Sequence, residues 1–274
     1  MTIILMKFNI FKNEILYNFS DDDKDFVFII SSYNNQEYVT KNLDSVLNQQ
    51  YEKWRIIYID DASTDDTLVN VQSYLLKNQQ INEKFKLITN EKNMKQAYNR
   101  YHSYKYCNDN EIICFLDGDD WLYDSNVLNK LNEEYKSNKI LLTYGSYYEL
   151  NQGEMRYKKP YIYSESNIRR NMYRSLKNWV GIPMRTGLAF LYKYMPEDNM
   201  KDHLGNWMTA CTDISEFLWA IEHTNGYFKA IEFPTYVYNI DASVRFTNCI
   251  YNLSKEQYDY RSLNSEKIYN YKVT

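Results

Sequence analysis

The sequence predicts an α/β domain with a mainly parallel central sheet and helices on both faces. Three observations predict it: apolar runs of strand length, helix-spaced apolar residues between them, and polar clusters where the runs end. The runs Phe26 to Ile30, Trp54 to Ile59, Phe85 to Ile88 and Glu111 to Leu116 are continuous rather than alternating, as strands covered on both faces require. Between the first two stand Val39, Leu43, Val46 and Leu47, and after the second Leu68, Val71 and Leu75, each set at helical spacing. Ser63 and Asp66 occupy the positions of a capping box for that second helix. Met94 to Tyr104 reads as a third helix, apolar along one side. Strand and helix in alternation mean βαβ units with right-handed crossovers.

Farther on, Val127, Leu128, Leu131 and Tyr135 mark a helix, and Ile140 to Tyr144 a strand. From Asn151 to Pro183 the pattern weakens into expected loops. Ile214, Phe217, Leu218 and Ile221 then mark a helix, and Phe233 to Ile240 a late strand. Residues 1–24 read as an N-terminal extension, and residues 247–274 as a polar, tyrosine-rich tail that packs on the domain or forms a contact between copies.

Composition narrows the function classes. A chain of 274 residues suits one principal domain. Its net charge of −4 offers no whole-protein positive field for a nucleic-acid backbone or an anionic membrane. The longest apolar run, Phe26 to Ile30, falls far short of the roughly 20 residues that span a bilayer. The N-terminus has no basic region before its short apolar stretch, so the expectation is a cytoplasmic protein. Cys107, Cys114, Cys211 and Cys249 show no Cys-x-x-Cys spacing, which favours free thiols in a reducing compartment over a zinc site. With seven glycines, the chain contains neither a Gly-x-Gly-x-x-Gly turn nor a Gly-rich phosphate loop.

Ligands of such sheets bind beyond the carboxyl ends of the strands. There the sequence places Ser31-Ser32-Tyr33-Asn34, Asp60-Asp61 and Asp117-Gly118-Asp119-Asp120. Carboxylates bunched so closely repel one another unless a cation or hydrogen-bond donors neutralise them, and hard divalent cations prefer such oxygens. The alternatives are an idle Asp-Gly turn at the rim and, for Asp60-Asp61, a strand-to-helix turn with caps. A calcium loop is excluded, because Leu128 stands where its bidentate glutamate belongs. A phosphoacceptor receiver fails as well, since its aspartate pair follows the first strand and this pair follows the second.

Taken in order, Ser31-Ser32-Tyr33-Asn34, Asp60-Asp61-Ala62-Ser63-Thr64-Asp65, Asn93 with Asn99, and Asp117-Gly118-Asp119-Asp120-Trp121 resemble family 2 glycosyltransferases of the GT-A fold. The resemblance runs from about Phe26 to Tyr148. It implies a GT-A domain over residues 25–246, with a nucleotide-sugar half (25–150) and an acceptor half (151–246), and inverting transfer from a UDP-sugar to a hydroxyl of a glycan or glycoconjugate. By that resemblance Tyr33 lies against the base with Ser31 beside it, Asp61 reads the uracil edge, Asp117 contacts ribose and Asp119 ligates Mn²⁺ or Mg²⁺. Asp213, heading the later helix, matches the family's general base, and Asp202 and Glu216 are the next carboxylates to consider. Lys92, Lys95 and Arg185 are candidates for neutralising the diphosphate, against the alternative of solvated surface charges. Trp207 is a candidate contact on the acceptor side.

The chain departs from the family pattern in Thr212 for glutamate, Ser31 for proline and Met94 for glycine. Two other functions stay open at this point. One is a non-catalytic UDP-sugar-binding or scaffolding subunit. The other is a sugar-nucleotide pyrophosphorylase, disfavoured because Ser31 to Gln36 holds neither glycine nor a basic residue.

Overall fold

The computed structural model describes residues 4–10, 13–176, 180–243 and 254–271. Cys249 and the expected boundary between domain and tail at 246/247 lie outside the described residues. The chain opens with an antiparallel hairpin of β1 (Ile4–Ile10) and β2 (Asn13–Phe19). It then runs through β3 (Phe26–Ser32), α1 (Val39–Leu47), β4 (Trp54–Asp60), α2 (Thr67–Lys77), β5 (Phe85–Thr89), α3 (Lys95–Ser103), β6 (Ile112–Asp117) and β7 (Trp121–Leu122). Next come α4 (Val127–Ser137), β8 (Leu142–Asn151), β9 (Glu154–Lys158), α5 (Glu165–Arg169), β10 (Thr186–Leu188), α6 (Phe190–Lys193), α7 (Thr212–Glu222), β11 (Phe228–Asn239), α8 (Ile240–Ser243) and α9 (Lys255–Asn270).

The large sheet has the order β5-β4-β3-β6-β10-β8-β11-β7, with β9 paired to β8. Strands β5, β4, β3, β6, β8 and β11 run one way, and β7, β9 and β10 run against them. The first four predicted strands thus form the parallel half; β3, β4 and β6 are buried because apolar residues cover both faces, while β5 at the sheet edge is only partly covered. The chain progresses outward from β3 to β4 to β5, then α3 carries it back across β3 to β6. Right-handed crossovers therefore put α1 and α2 on one face and α3 on the other. The order reverses between β3 and β6, so the crevice at this switch point lies beyond the carboxyl ends of these two strands, where Ser31 pairs in register with Asp117.

Several expectations need correcting. The capping box at α2 does not form: Asp66 makes no side-chain cap bond, Asp65 Oδ1 accepts from the Thr67 amide at 2.9 Å, and the Ser63 hydroxyl is engaged by the Asn34 amide at 3.0 Å. The loop tie across 29 residues takes the hydroxyl that a local cap would have used. The expected loops of Asn151 to Pro183 contain β9, reached through a turn in which Gln152 and Gly153 have φ of 52° and 79°. The late strand begins at Phe228, and its register shifts around Pro234, which lacks a ladder donor. Residues 1–24 supply Phe8, Ile10 and Tyr17 to the main core. Helix α9 packs on α7 and carries buried Ile268, whose carbonyl accepts from the Arg174 guanidinium at 2.5 Å.

Candidate active site

The turn after β6 is fixed from three directions. The Asn42 side-chain amide donates to the carbonyls of Asp117 at 2.9 Å and Asp120 at 2.7 Å. The Tyr236 hydroxyl on β11 accepts from the Asp117 amide at 3.1 Å and donates to the Asp120 carboxyl at 2.7 Å. The Asn239 amide donates to the other Asp120 oxygen at 2.7 Å. Asp120 is fully buried, and desolvation together with Asp119 and Asp117 pushes its carboxyl well above the usual range. Its place is structural. Gly118 is required by close approach, since a Cβ there would sit 2.6 Å from Ser32 Oγ and 2.8 Å from Asn35 Nδ2.

This packing leaves Asp117 and Asp119 at the crevice, both partly exposed. Asp117 Oδ1 accepts from Gln96 Nε2 at 2.9 Å and from Arg100 Nη2 at 2.7 Å. Among the described residues no side chain donates to the Asp119 carboxyl, and burial followed by the charge of Asp117 pushes it up to about 7. No group of three or more His, Cys, Asp or Glu side chains among the described residues could hold a metal. A hard cation can also be held by only one or two carboxylates and completed by a substrate's phosphate oxygens, as Mg²⁺ commonly is. The donor set such a cation would need is offered by the Asp119 carboxyl, to which only its own backbone amide donates among the described residues, and by the second oxygen of Asp117.

Asp61 is buried at the end of β4, and its carboxylate binds the start of α3: Oδ1 accepts from the Met94 amide at 2.7 Å and Asn90 Nδ2 at 2.8 Å, and Oδ2 from the Lys95 amide at 2.9 Å. Asp61 thus satisfies helix amides that lack an intrahelical partner. A carboxylate has about four acceptor positions, so one remains on Oδ2. Tyr33 is 37% exposed on a loop held by Asn34, whose φ is 56° and whose Oδ1 accepts from the Thr64 amide at 2.8 Å. Ser31 stands between the two clusters, in register with Ile59 and Asp117.

The other candidates are more scattered. Lys92 and Lys95 are exposed, and Lys95 adopts a φ of 73° at the start of α3. Arg185 is not a solvated charge: it is 7% exposed, and its Nη1 donates to the Gly181 carbonyl at 3.2 Å. Trp207 packs against Tyr98, Tyr101 and His102 of α3, with Lys201 Nζ 3.6 Å above its ring. Asp213 is partly exposed in the first turn of α7, within electrostatic reach of Cys211 and Tyr269. Asp202 is buried and accepts from the Leu204 and Asn206 amides, both at 2.9 Å, a turn-stabilising role.

Sequence reasoning missed Arg100. It is 1% exposed and spans from Asp117 to Glu216, to whose Oε2 its Nη1 donates at 2.7 Å. The Tyr104 hydroxyl donates to the other Glu216 oxygen. One signal was available: Gln96 and Arg100 are four residues apart on α3 and so share a face.

A family model described as "Glycosyl transferase family 2" matches residues 27–199. UDP-Glc:alpha-D-GlcNAc-diphosphoundecaprenol beta-1,3-glucosyltransferase WfgD of Escherichia coli is 31% identical over 127 residues, 46% of this chain and 47% of that protein. The structure of S. aureus TarS 1-349 in complex with UDP-GlcNAc superposes with a TM-score of 0.58 at 17% identity, over 78% of this chain and 58% of that one. Mannosyltransferase PcManGT from Pyrobaculum calidifontis, in complex with GDP-Man and Mn2+, gives 0.53 at 16% identity, over 80% and 58%. The chain thus spans about half the length of that curated relative and under two thirds of either solved chain. Its fold is that of the GT-A glycosyltransferases, as the motif order led one to expect. With the family model covering most of the chain and the carboxylate motif standing at the switch point of the sheet, this protein belongs to glycosyl transferase family 2.

Proposed function

We propose that this protein is an inverting glycosyltransferase that moves a sugar from a UDP-sugar to a hydroxyl of a glycan or glycoconjugate. The observation that carries the reading is Asp119, a carboxyl with no side-chain donor among the described residues, at the crevice beside Asp117, where a cation-bound diphosphate would fit. Tyr33 supplies an exposed ring for the base, with Ser31 behind it, and Asp61 the remaining acceptor for the uracil N–H. Asp119 and the second oxygen of Asp117 would hold Mn²⁺ or Mg²⁺. Such a cation, when bound, stabilises the charge that develops on the departing nucleotide. Asp213 takes the proton of the acceptor hydroxyl as that oxygen attacks the anomeric carbon, and one displacement inverts the carbon. Lys95, exposed at the start of α3, would meet the diphosphate, and Trp207 and Arg185 would serve the diphosphate or acceptor side. Buried free thiols at Cys107, Cys114 and Cys211 are compatible with a cytoplasmic setting.

The reading is tested by thermal unfolding with nucleotides. UDP with Mn²⁺ at about 100 times its dissociation constant adds ~2.7 kcal/mol of stability. GDP and ADP should add less, and equal shifts for all three would remove Asp61 from base reading. Asp213→Asn should keep the UDP-Mn²⁺ shift while transfer falls at least ~100-fold. Transfer within a few-fold of wild type would reduce Asp213 to a favourable charge at a helix start. A wild type that binds UDP and transfers to no acceptor would make this a binding subunit.

A further inference from the structure

Arg100 is a buried cation with two anionic neighbours from different parts of the fold. One is Asp117 of the carboxylate motif, and the other is Glu216 on α7, itself 1% exposed. A buried guanidinium facing Asp117 alone would form a neutral pair with it, and any divalent cation would then compete with the arginine for the same carboxylate. Glu216 changes that balance. It supplies a second negative charge at the other terminal nitrogen of the guanidinium, at the same 2.7 Å. Burial pushes the Glu216 carboxyl upward, and Arg100, the Tyr104 hydroxyl bonded to it and Arg185, from the segment leading into β10, act against that and favour its charged form.

We propose that Glu216 is a positioning residue: by neutralising Arg100, it lets the arginine orient Asp117 through a hydrogen bond without cancelling the charge that Asp117 offers to a divalent cation. This rests on the reading of the site as a metal-dependent nucleotide-sugar site. The geometry fits the division of labour. Gln96 and Arg100 both bond Oδ1 of Asp117, and among the described residues no donor reaches Oδ2. Glu216 also ties α7, whose first turn carries Asp213, to the motif at the end of β6. A role in stability alone would lower the melting temperature without moving the metal dependence.

The experiment is calorimetric titration of the full chain with UDP over a range of Mn²⁺ concentrations, in wild type, E216Q and R100Q/E216Q. The Mn²⁺ concentration for half-maximal UDP binding should rise about tenfold in E216Q, because an uncompensated cation now faces Asp117. It should return to within about threefold of wild type in R100Q/E216Q, where both charges are gone. A rise under about threefold in E216Q, or a double variant as impaired as the single one, overturns the proposal. If E216Q does not fold, the double variant decides alone: affinity within about threefold of wild type supports the proposal, and a larger loss overturns it. A wild type whose UDP binding ignores Mn²⁺ overturns both this and the metal reading of the site. Mn²⁺-dependent binding that E216Q leaves unchanged overturns the role of Glu216 alone.

Discussion

Asp119 holds a carboxyl pushed up to about 7, first by burial and then by the charge of Asp117 beside it. A ligating carboxylate must first lose its proton, so the proposed metal binding at Asp119 would be coupled to pH. Because its folded-state value lies above the ordinary ~3.9, the neutral form favours the fold. That contribution is fully present below about pH 4 and is lost as pH rises through about 7. A divalent cation that binds the ionised form offsets the loss. The melting-temperature gain from Mn²⁺ with UDP should therefore grow between about pH 6 and pH 8, with proton release detectable by calorimetry in buffers of different ionisation enthalpy. A gain flat across that range, or an Asp119→Asn variant that keeps the Mn²⁺ dependence, would contradict the assignment.

At the scale of elements, α3 joins the two halves of the site. Its first amides are capped by Asp61, which directly follows β4, and its inner face sends Gln96 and Arg100 to Asp117. The opening hairpin has a different task. Phe8 is fully buried, with its ring centroid 6.1 Å from those of both Phe190 and Tyr227. Phe190 follows β10, whose Leu188 pairs with Ile112 at the amino end of β6, so the hairpin docks at the end of the sheet away from Asp117. Truncating Phe8 to alanine should cost about 3 to 5 kcal/mol in urea unfolding. UDP-Mn²⁺ binding should persist in the folded variant; its loss at unchanged secondary structure would show that the hairpin supports the site.

For the whole molecule, the local pattern of residues was enough to determine which segments become strands and helices in the parallel half, and that Ser31 to Asn34, Asp60-Asp61 and Asp117 to Asp120 end three of its strands. Periodicity and turn chemistry act over a few residues, and continuous apolar strands with helices between them have few ways to pack. The hairpin and β9 were less legible: β2 and β9 are short strands with many exposed side chains, and neither contains a long apolar run. Tertiary structure alone decided how the polar residues are spent. Ser63 serves the Asn34 loop instead of its own helix, Asp61 caps α3, Asp120 is locked by Tyr236 and Asn239, and Arg100 meets Glu216 across 116 positions. The physical reason is the same in each case: a buried polar group must find a partner, several are chemically equivalent in the sequence, and only the packing of distant elements selects which of them comes within hydrogen-bond reach.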